Sequence, residues 1–314
     1  MNYDFSVVVL SYHPDREKLL ATLRSTIMQK GVAFEIIVAD DGSPEFFEAD
    51  IREMLEGVID YQIISHAENQ GTVKNLLDAV QAAQGRYIKP ISPGDYLYDE
   101  NTLKAAADFM DQHEACAMFG DMVYYSWDGA LQLFGRKTPY DDAMYLPGKD
   151  FSWRRSAKHQ MLYNDNISGA AVFLDRDTML WGLQAIRPAV RYAEDAMLQL
   201  IVLAGKRIYK LPRFMVWYEF GSGISTNSAS GFSARLAQDF CRFYELLEST
   251  MPDKPDVRRT CSTWRILQKG GIGNTLRKCL ELDKHIFRLR KRKLVSQFRL
   301  ETVDEEGFRR IIRA

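Results

Sequence analysis

The first hundred residues alternate short apolar runs with stretches of helical periodicity. Four runs rich in β-branched residues have the pattern of strands buried on both faces: Phe5–Leu10, Phe34–Ala39, Tyr61–Ser65 and Arg86–Ile91. Helices are predicted between them over residues 15–29, 44–57 and 73–83, the last ending at Gly85 as a C-cap. Strands and helices in this order form βαβ units with right-handed crossovers. The predicted fold class is therefore α/β, with a mostly parallel, Rossmann-like sheet flanked by helices.

The pattern is less regular up to residue 250. Strands are predicted over 117–127, 168–174 and 207–211, and helices over 102–113, 194–203 and 232–249. Residues 135–165 are polar and long for a structureless connection, so we interpret them as a binding segment or a lid. Pro252 and Pro255 indicate a soft boundary near residue 251, and a helical, basic appendage is predicted after it.

Composition excludes several classes of protein. Of the 314 residues, 46% are hydrophobic, 26% charged and 12% aromatic, which is typical of a globular chain and not of a disordered chain, a coiled coil or a collagen. No apolar run approaches the ~18 residues of a membrane span, and the acidic N-terminus does not resemble a signal peptide. The four cysteines are scattered, which disfavours zinc and a disulfide framework and favours a reducing cytosol.

Positive charge is concentrated near the C-terminus. The segment from Arg258 to Arg299 contains 13 Lys or Arg and two acidic residues, so its net charge is +11. Because the whole chain has a net charge of −1, the rest of it carries −12. Residues 275–299 have the pattern of an imperfect amphipathic basic helix, which could lie on an anionic membrane. The alternative is a helix whose apolar face packs on the domain, with its cations solvated or paired across a homodimer. No known nucleic-acid-binding motif with interleaved aromatic residues accompanies the charges, so nucleic acid is disfavoured.

Polar residues follow three of the predicted strands. They are Ser11-Tyr12-His13-Pro14, Asp40-Asp41 and Ser92-Pro93-Gly94-Asp95. Each alone reads as a turn, but ligands of open parallel sheets bind at the carboxyl ends of strands, where these segments converge. A tyrosine ring can stack on a nucleobase, and a carboxylate beside a glycine suits a divalent cation that bridges a diphosphate. GxGxxG and GxxxxGK[ST] are both missing, which disfavours dinucleotide and P-loop sites.

Several blocks occur together in one order and spacing. They are SVVVLSY at 6–12, IIVADDGS at 36–43, ENQGTVKN at 68–75, GRYI at 85–88, SPGD at 92–95, SGA at 168–170 and ED at 194–195. In these blocks the chain resembles the family 2 inverting glycosyltransferases, which have the glycosyltransferase-A fold. The resemblance covers about residues 5–226 and implies a catalytic domain over 1–250. Its halves would be a nucleotide-sugar-binding half, 1–115, and an acceptor half, 116–250, followed by the helical basic region 251–314.

The resemblance implies roles in donor binding. Tyr12 and Asp41 would hold the base, which is uracil for a UDP-sugar, and Asp40 would be a second base or ribose contact. Lys74, at the start of a helix, would lie near the ribose and the diphosphate. Ser92 and Asp95 belong to the block that binds the sugar diphosphate and a metal.

It also implies the catalytic residues. Asp195 matches the base that deprotonates the acceptor hydroxyl, and Glu194 would support it or touch the acceptor. Judged from the residues alone, an acidic pair at this point could equally serve as the N-terminal cap of a helix. Inversion needs one in-line displacement and does not need the carboxyl pair of a glycosidase.

One block departs from the family pattern. The family usually has Asp-X-Asp-Asp where this chain has Ser92, Gly94 and Asp95, so the usual metal ligand falls at Gly94. Either Asp95 takes over binding of Mn²⁺ or Mg²⁺, or the diphosphate and water hold the cation. The Gln-X-X-Arg-Trp signature of processive synthases is also missing, so a non-processive hexosyltransferase is expected.

The function implied is transfer of a sugar, with inversion, from a nucleotide-sugar donor to a hydroxyl of a glycan or a lipid-linked glycan. Such reactions build bacterial-type surface polysaccharides, and the expected location is the cytoplasm, at the inner face of the plasma membrane. The degraded metal block leaves an alternative, a catalytically silent sugar-nucleotide-binding or scaffold protein. A nucleotidyltransferase is disfavoured, because the glycine-rich phosphate loop that it needs is absent.

Overall fold

The structure is a computed structural model that describes residues 3–221, 232–251, 255–268, 282–297, 300 and 302–313. Its strands are β1 (Tyr3–Ser11), β2 (Phe34–Asp40), β3 (Tyr61–Ser65), β4 (Gly85–Ile91), β5 (Tyr96–Leu97), β6 (Ala117–Trp127), β7 (Leu131–Phe134), β8 (Val172–Asp175) and β9 (Tyr209–Glu219). Its helices up to residue 203 are α1 (Arg16–Ile27), α2 (Glu48–Leu55), α3 (Thr72–Ala82), α4 (Thr102–Gln112), α5 (Trp153–Leu162), α6 (Arg176–Ile186) and α7 (Ala196–Leu203). The later ones are α8 (Phe232–Thr250), α9 (Pro255–Gln268), α10 (Leu282–Gln297) and α11 (Glu305–Arg313).

One sheet runs through the described part of the chain, in the order β3-β2-β1-β4-β8-β6-β9-β5, with β7 paired to β6. The α/β fold class with a C-terminal helical region is thus confirmed. Strands β1 to β4 are parallel, as predicted. Strand β8 runs antiparallel to both of its neighbours, and β5 runs antiparallel to β9, so the second half of the sheet is mixed. The parallel character comes from the βαβ units of the first hundred residues, which the later elements do not continue.

The first βαβ units follow their sequence closely because their strands are buried on both faces. Val7, Val8 and Val9 of β1 and Ile36, Ile37 and Val38 of β2 are fully buried between the helical layers. The predicted C-cap at Gly85 is wrong, since Ala83 caps α3 and Gly85 is the first residue of β4. A Cβ on Gly85 would come within 2.3 Å of the backbone nitrogen of Ser6. Gly85 therefore serves close strand packing rather than helix termination.

The middle of the chain contains more regular structure than its sequence pattern predicts. Residues 135–165 include a 3₁₀ turn at Ala143–Tyr145 and helix α5, with Ser152 as its N-cap. This helix is missed because its mean hydropathy is low, although its inner residues are buried. Helix α6 and strand β7 are also absent from the prediction, and β9 extends to Glu219 rather than ending at 211. The added length of β9 brings Glu219 to the candidate site.

The C-terminal helices pack on the rest of the fold. Phe308 of α11 is fully buried, with ring centroids 4.8 Å from Tyr125 and 4.8 Å from Trp217. Phe287 of α10 stacks on Tyr163 at 4.9 Å. In the described residues the basic helix is thus docked by one face, as in the packing alternative, while residues 275–281 and 298–299 of the predicted amphipathic stretch lie outside the described residues. No helix of the described part combines the length and the apolarity needed to cross a bilayer.

Candidate active site

A cavity of about 320 Å³ opens where β4, β9 and the start of α7 meet. It brings together four of the predicted site residues: Ser92, Asp95, Glu194 and Asp195. We call it the catalytic cavity, and its other polar lining comes from Thr72, Asn166, Ser168, Tyr192, Tyr218 and Glu219. Its apolar floor includes Leu10, Ile91, Val172 and Met197. Carboxylates that are a hundred residues apart in the chain therefore face one space large enough for a small ligand.

Asp95 is fixed by the turn that carries it. Its backbone nitrogen donates to Ser92 O at 2.9 Å, and its backbone oxygen accepts from Thr22 Oγ1 at 2.9 Å. Its Oδ1 accepts from the backbone nitrogen of Glu219 at 3.1 Å. Burial raises the pKa of the Asp95 carboxyl to about 7, against the opposing effects of that hydrogen bond and of Lys89. A cation or a donor proton at this point would therefore stabilise the charged carboxylate.

Glu219 supplies a carboxylate next to the position where the family acid is missing. Gly94 has φ +96°, and a Cβ built on it would lie 2.6 Å from Glu219 Oε2. Lys18 of α1 donates to both oxygens of this carboxylate, at 2.6 and 2.8 Å. The Lys18 side chain is 36% exposed, whereas the Glu219 side chain is 9% exposed. The pair thus introduces a cation and a carboxylate beside Asp95 from two distant parts of the chain.

Lys89 is a fully buried cation in the middle of β4, behind the catalytic cavity. Its Nζ donates to Ala170 O at 2.5 Å and lies 4.7 Å from the centre of the Phe173 ring. Burial lowers the pKa of Lys89 to about 7, and the charge of Asp95 partly offsets this. Lys89 therefore ties the cavity wall at Gly169–Ala171 to β4. Sequence reasoning missed it, although a lysine inside an apolar strand was a visible signal.

Glu194 and Asp195 lie side by side at the start of α7. Asp195 occupies the N-cap position, but its side chain makes no capping hydrogen bond, so the carboxylate is left facing the catalytic cavity. A Cβ on Gly169 would lie 3.3 Å from Glu194 Oε1, which shows how tightly the opposite wall approaches. Burial raises the pKa of Asp195 to about 6, and burial together with the charge of Asp195 raises the pKa of Glu194 further. Both carboxyl groups therefore hold a proton more tightly than an ordinary carboxyl, and Glu194 holds it more tightly than Asp195.

Asp239 of α8 holds the segment that precedes this pair. Its Oδ2 accepts from the backbone nitrogens of Arg191 at 3.1 Å, Tyr192 at 2.6 Å and Ala193 at 3.1 Å. Asp239 is buried, so these charge-assisted bonds fix the entry to α7 firmly. Its sequence context is an ordinary amphipathic helix, and no local pattern distinguishes this acid from others on the same helix.

The predicted base-binding acids lie together at the ends of β1 and β2, outside the catalytic cavity lining. Asp40 accepts from Ser43 N at 2.8 Å and from Ser43 Oγ at 2.5 Å. Asp41 accepts from Gln70 N at 2.7 Å and from Gly71 N at 2.9 Å. Both acids therefore hold the loops that follow β2 and β3. Their direct contact with a base remains a prediction.

Tyr12 and Lys74 complete the predicted donor residues. Tyr12 follows β1 and is 45% exposed, so a ligand can reach this residue from solvent. Lys74 forms an ion pair with Asp78, which bonds His66 at 2.9 Å, and His66 in turn lies 3.4 Å from Asp41. Lys74 does not line the catalytic cavity but a second cavity. Of the predicted donor residues, Ser92 and Asp95 thus line the catalytic cavity, Lys74 lines the second cavity, and Tyr12, Asp40 and Asp41 line neither.

The side chains around Asp95 could hold a divalent cation only together with the phosphates of a bound sugar donor. The described residues contain no group of three His, Cys, Asp or Glu side chains arranged to hold a metal. Both oxygens of Glu219 are engaged by Lys18, and one oxygen of Asp95 is engaged by a backbone nitrogen. One carboxylate oxygen then remains, which is sufficient for Mg²⁺ or Mn²⁺ that is held largely by phosphates and water.

Comparison with known sequences agrees with this arrangement. The family described as "Glycosyl transferase family 2" matches residues 6–166. The minor teichoic acid biosynthesis protein GgaB of Bacillus subtilis is 28% identical over 116 residues, which is 36% of this chain and 13% of that protein. A PGL/p-HBAD biosynthesis glycosyltransferase of Mycobacterium tuberculosis is 29% identical over 121 residues, 37% of this chain and 47% of that protein. The chain thus matches less than half the length of these relatives.

Solved structures with the same fold include TarS of S. aureus. The TarS structure has a TM-score of 0.52 and 18% identity, and the likeness covers 90% of this chain and 43% of that one. A structure of TarS 1–349 in complex with UDP-GlcNAc has the same TM-score and identity, and covers 78% of this chain and 66% of that one. The family match extends over half of the chain and includes the strand ends that carry Tyr12, Asp41 and Asp95. The chain belongs to glycosyl transferase family 2.

Proposed function

We propose that this protein transfers a sugar, with inversion, from a UDP-sugar to a hydroxyl group of a glycan or a lipid-linked glycan. The observation that carries the proposal is that Asp95 and the Glu194–Asp195 pair line one cavity. Family membership and the UDP-GlcNAc complex of a protein with the same fold support a nucleotide-sugar donor. The printed roles of the relatives in teichoic acid and PGL/p-HBAD biosynthesis support a bacterial surface polymer or glycolipid as the product.

In the proposed reaction Asp195 is the general base. Its carboxylate accepts the proton of the acceptor hydroxyl as that oxygen attacks the anomeric carbon, and the bond to the nucleoside diphosphate breaks on the opposite side of that carbon. Burial and the charge of Asp195 raise the pKa of Glu194 above that of Asp195, and a protonated Glu194 would donate a hydrogen bond to the acceptor. One base suffices for this single displacement, which leaves no covalent intermediate.

The leaving diphosphate carries the developing negative charge, and groups near Asp95 would offset it. Asp95 would supply one oxygen to a divalent cation, and the cation when bound would neutralise the diphosphate as a Lewis acid. Lys18 lies in the same region through its ion pair with Glu219 and provides a second source of positive charge. This arrangement predicts a weaker dependence on metal than a full set of acids would give.

Donor and acceptor would enter at different ends of the site. The exposed ring of Tyr12 would stack on uracil, next to the loops fixed by Asp40 and Asp41. Asn166 lines the catalytic cavity, and its Oδ1 is buried with no hydrogen-bond partner among the described residues. An acceptor hydroxyl would satisfy that atom. A discrete cavity is suited to a single transfer of a hexosyl unit, in line with a non-processive enzyme.

Helix α10 would bring the protein to an anionic membrane surface. Phe287 is turned inward, while Ile286 and Leu289 are 64% and 66% exposed among the cations Arg288, Arg292 and Lys293. Exposed apolar residues within a basic helix are typical of interfacial binding. Leu289→Ser should reduce co-sedimentation with phosphatidylglycerol vesicles at low salt. Val58→Ser, which removes a 60% exposed apolar side chain elsewhere, should not.

A donor screen tests the main proposal. The protein is incubated with UDP-, GDP- and ADP-sugars and a glycan acceptor, and the released nucleoside diphosphate and the anomeric configuration of the product are measured. UDP release with an inverted product is expected from the wild type, and release about 10²–10⁴-fold slower from Asp195→Asn. The silent binding protein is the second candidate, favoured by Gly94 at the usual metal ligand. It would bind UDP-sugar in calorimetry and release no UDP with any acceptor.

A further inference from the structure

A second cavity of about 230 Å³ is lined by the side chains of four cations: Lys74, Arg187, Arg191 and Arg242. The rest of its lining is Gln70, Pro188, Ala189 and Val190, so no carboxylate of the described residues lines it. We call it the cationic cavity. Its cations come from three parts of the chain, which are α3, the loop after α6, and α8. Their convergence is a product of the tertiary structure and is invisible in the linear charge pattern, which has its main basic run after residue 258.

Two of these cations are held in place by the fold. The Arg191 guanidinium donates to Asn69 O at 2.7 Å and lies 5.2 Å from the centre of the Tyr192 ring. A Cβ on Gly71 would lie 2.4 Å from Arg191 Cγ, so a glycine is needed for this approach. Lys74 is held by its ion pair with Asp78. One wall of the cavity is therefore built before any ligand arrives.

The other two cations supply charge that the described residues leave uncompensated. Arg187 and Arg242 are exposed and form no ion pair within the described part of the chain. Of the four cations, Lys74 forms an ion pair with Asp78. The carboxylate of Asp239 instead accepts hydrogen bonds from three backbone nitrogens. Guanidinium groups bind phosphate oxygens in pairs, with both geometry and charge matched. The cationic cavity is therefore suited to a phosphate group.

The cationic cavity is adjacent to the catalytic cavity, and two chain segments separate them. Gln70 and Arg191 line the cationic cavity, and their near neighbours Thr72 and Tyr192 line the catalytic cavity. The backbone nitrogen of Val73 donates to Arg191 O at 3.0 Å, which joins the two segments that separate the cavities. The donor diphosphate is expected near Asp95, on the catalytic side. Of the four cations, only Lys74 is a predicted donor residue, so a phosphate held by Arg187, Arg191 and Arg242 would belong to another molecule.

We infer that the cationic cavity binds a phosphate group carried by the acceptor, such as a phosphodiester of a polyol-phosphate chain. This inference rests on the proposed function, because it assigns a chemical class to the acceptor of the same reaction. An acceptor that extends past the start of α7 would place a hydroxyl at Asp195 and a phosphate among Arg187, Arg191 and Arg242. The cationic cavity would then select anionic acceptors over neutral glycans.

The test measures binding of three probes by calorimetry: a short glycerol-phosphate oligomer, a neutral glucan of similar length, and inorganic pyrophosphate. UDP is titrated separately. The wild type should bind the oligomer, more weakly at high salt, and should bind the glucan and pyrophosphate less well. Arg187→Gln/Arg242→Gln should weaken oligomer binding at least about ten-fold through the loss of two charged contacts, and leave UDP binding unchanged. Arg310→Gln/Arg313→Gln, which removes two exposed arginines of α11, should change neither.

Each outcome decides the inference. Equal oligomer affinity in the double variant and the wild type would overturn it, as would a glucan bound as tightly as the oligomer. Pyrophosphate bound as tightly as the oligomer would assign the cavity to a free anion and also overturn it. Failure to bind UDP would instead count against the proposed function, and oligomer binding would still report on the cationic cavity. Unchanged thermal unfolding of the variant shows that its fold is intact.

Discussion

The carboxylate of Glu219 lies where a side chain on Gly94 would begin. The distance from Glu219 Oε2 to an ideal Cβ on Gly94 is 2.6 Å, so residue 94 cannot carry an acid while Glu219 holds this position. Sequence comparison with the family finds a missing acid at residue 94. In the structure, the carboxylate of Glu219 at the end of β9 lies close to this position and forms an ion pair with Lys18.

Restoring the family acid alone should therefore destabilise the protein. Gly129 has nearly the same φ as Gly94, +98° against +96°, but nothing lies within 4 Å of its Cβ position. Gly129→Asp should lower the free energy of unfolding by about 1–3 kcal/mol through backbone strain. Gly94→Asp should lower it more, because the new side chain also meets Glu219.

Chemical denaturation of both variants checks this difference. Adding Glu219→Gly to Gly94→Asp should recover part of the lost stability, because the new carboxylate then has room and lies near Lys18. Gly94→Asp that is no less stable than Gly129→Asp would show that Glu219 moves aside at little cost.

The rate of transfer should depend on pH through Asp195. Burial raises the pKa of this carboxyl to about 6, and a base acts only when it is deprotonated, so activity should fall as pH decreases through about 6. An ordinary carboxyl would lose activity only near pH 4. Glu194→Gln should keep this acidic limb, since it removes the second carboxyl and not the base.

Asp195→Asn should lower kcat by about 10²–10⁴-fold, the usual value of general base catalysis, and leave UDP affinity nearly unchanged. Single-turnover rates between pH 4.5 and 9 measure the loss of rate and the pH dependence, and calorimetry measures the affinity for UDP. Wild-type turnover in this variant would place the base elsewhere.

Asp239 should act as a positioning residue for the catalytic pair. Asp239→Ala leaves three backbone nitrogens at residues 191–193 without their acceptor, which should cost about 1–3 kcal/mol of stability. We expect kcat to fall while the KM for donor changes little, because the segment leads directly into Glu194 and Asp195. Asp239→Asn, which keeps one acceptor oxygen, should recover part of kcat.

Glu245→Ala, an exposed acid on the same helix, is the matched control and should be neutral. Steady-state kinetics at a temperature well below unfolding separate the two effects. A loss of stability with wild-type kcat would reduce Asp239 to a purely structural residue.

The C-terminal helix α11 should be part of the folded core. Phe308 is fully buried against Tyr125, Trp217, Tyr96 and Trp127. Phe308→Ala should lower the free energy of unfolding by about 3–5 kcal/mol, and Phe308→Leu should cost less because it leaves a smaller void. Thermal and urea unfolding of both variants measure this. Wild-type stability in Phe308→Ala would mean that α11 is dispensable for the fold.

Local sequence pattern is sufficient to predict the first half of the fold and the acidic character of the catalytic cavity. Strands β1 to β4 are short, apolar and β-branched, and helical periodicity lies between them, so local pattern and tertiary environment agree. The predicted strand 117–127 coincides with β6. Acids at strand ends need only the rule that parallel strands end at one edge, so Asp95, which lines the catalytic cavity, and Asp41, whose contact with a base is a prediction, both stand out in the sequence.

Only the tertiary structure decided how the catalytic cavity is completed. Lys18 and Glu219 are 201 residues apart, and Asp239 reaches segment 191–193 across 46 to 48 residues. Such contacts leave no local periodicity, because they depend on how β9 and α8 pack and not on their neighbours in the chain. The cationic cavity cannot be predicted from the sequence for the same reason. Its cations lie on separate segments, and only the packing of α3, α8 and the loop after α6 brings them together.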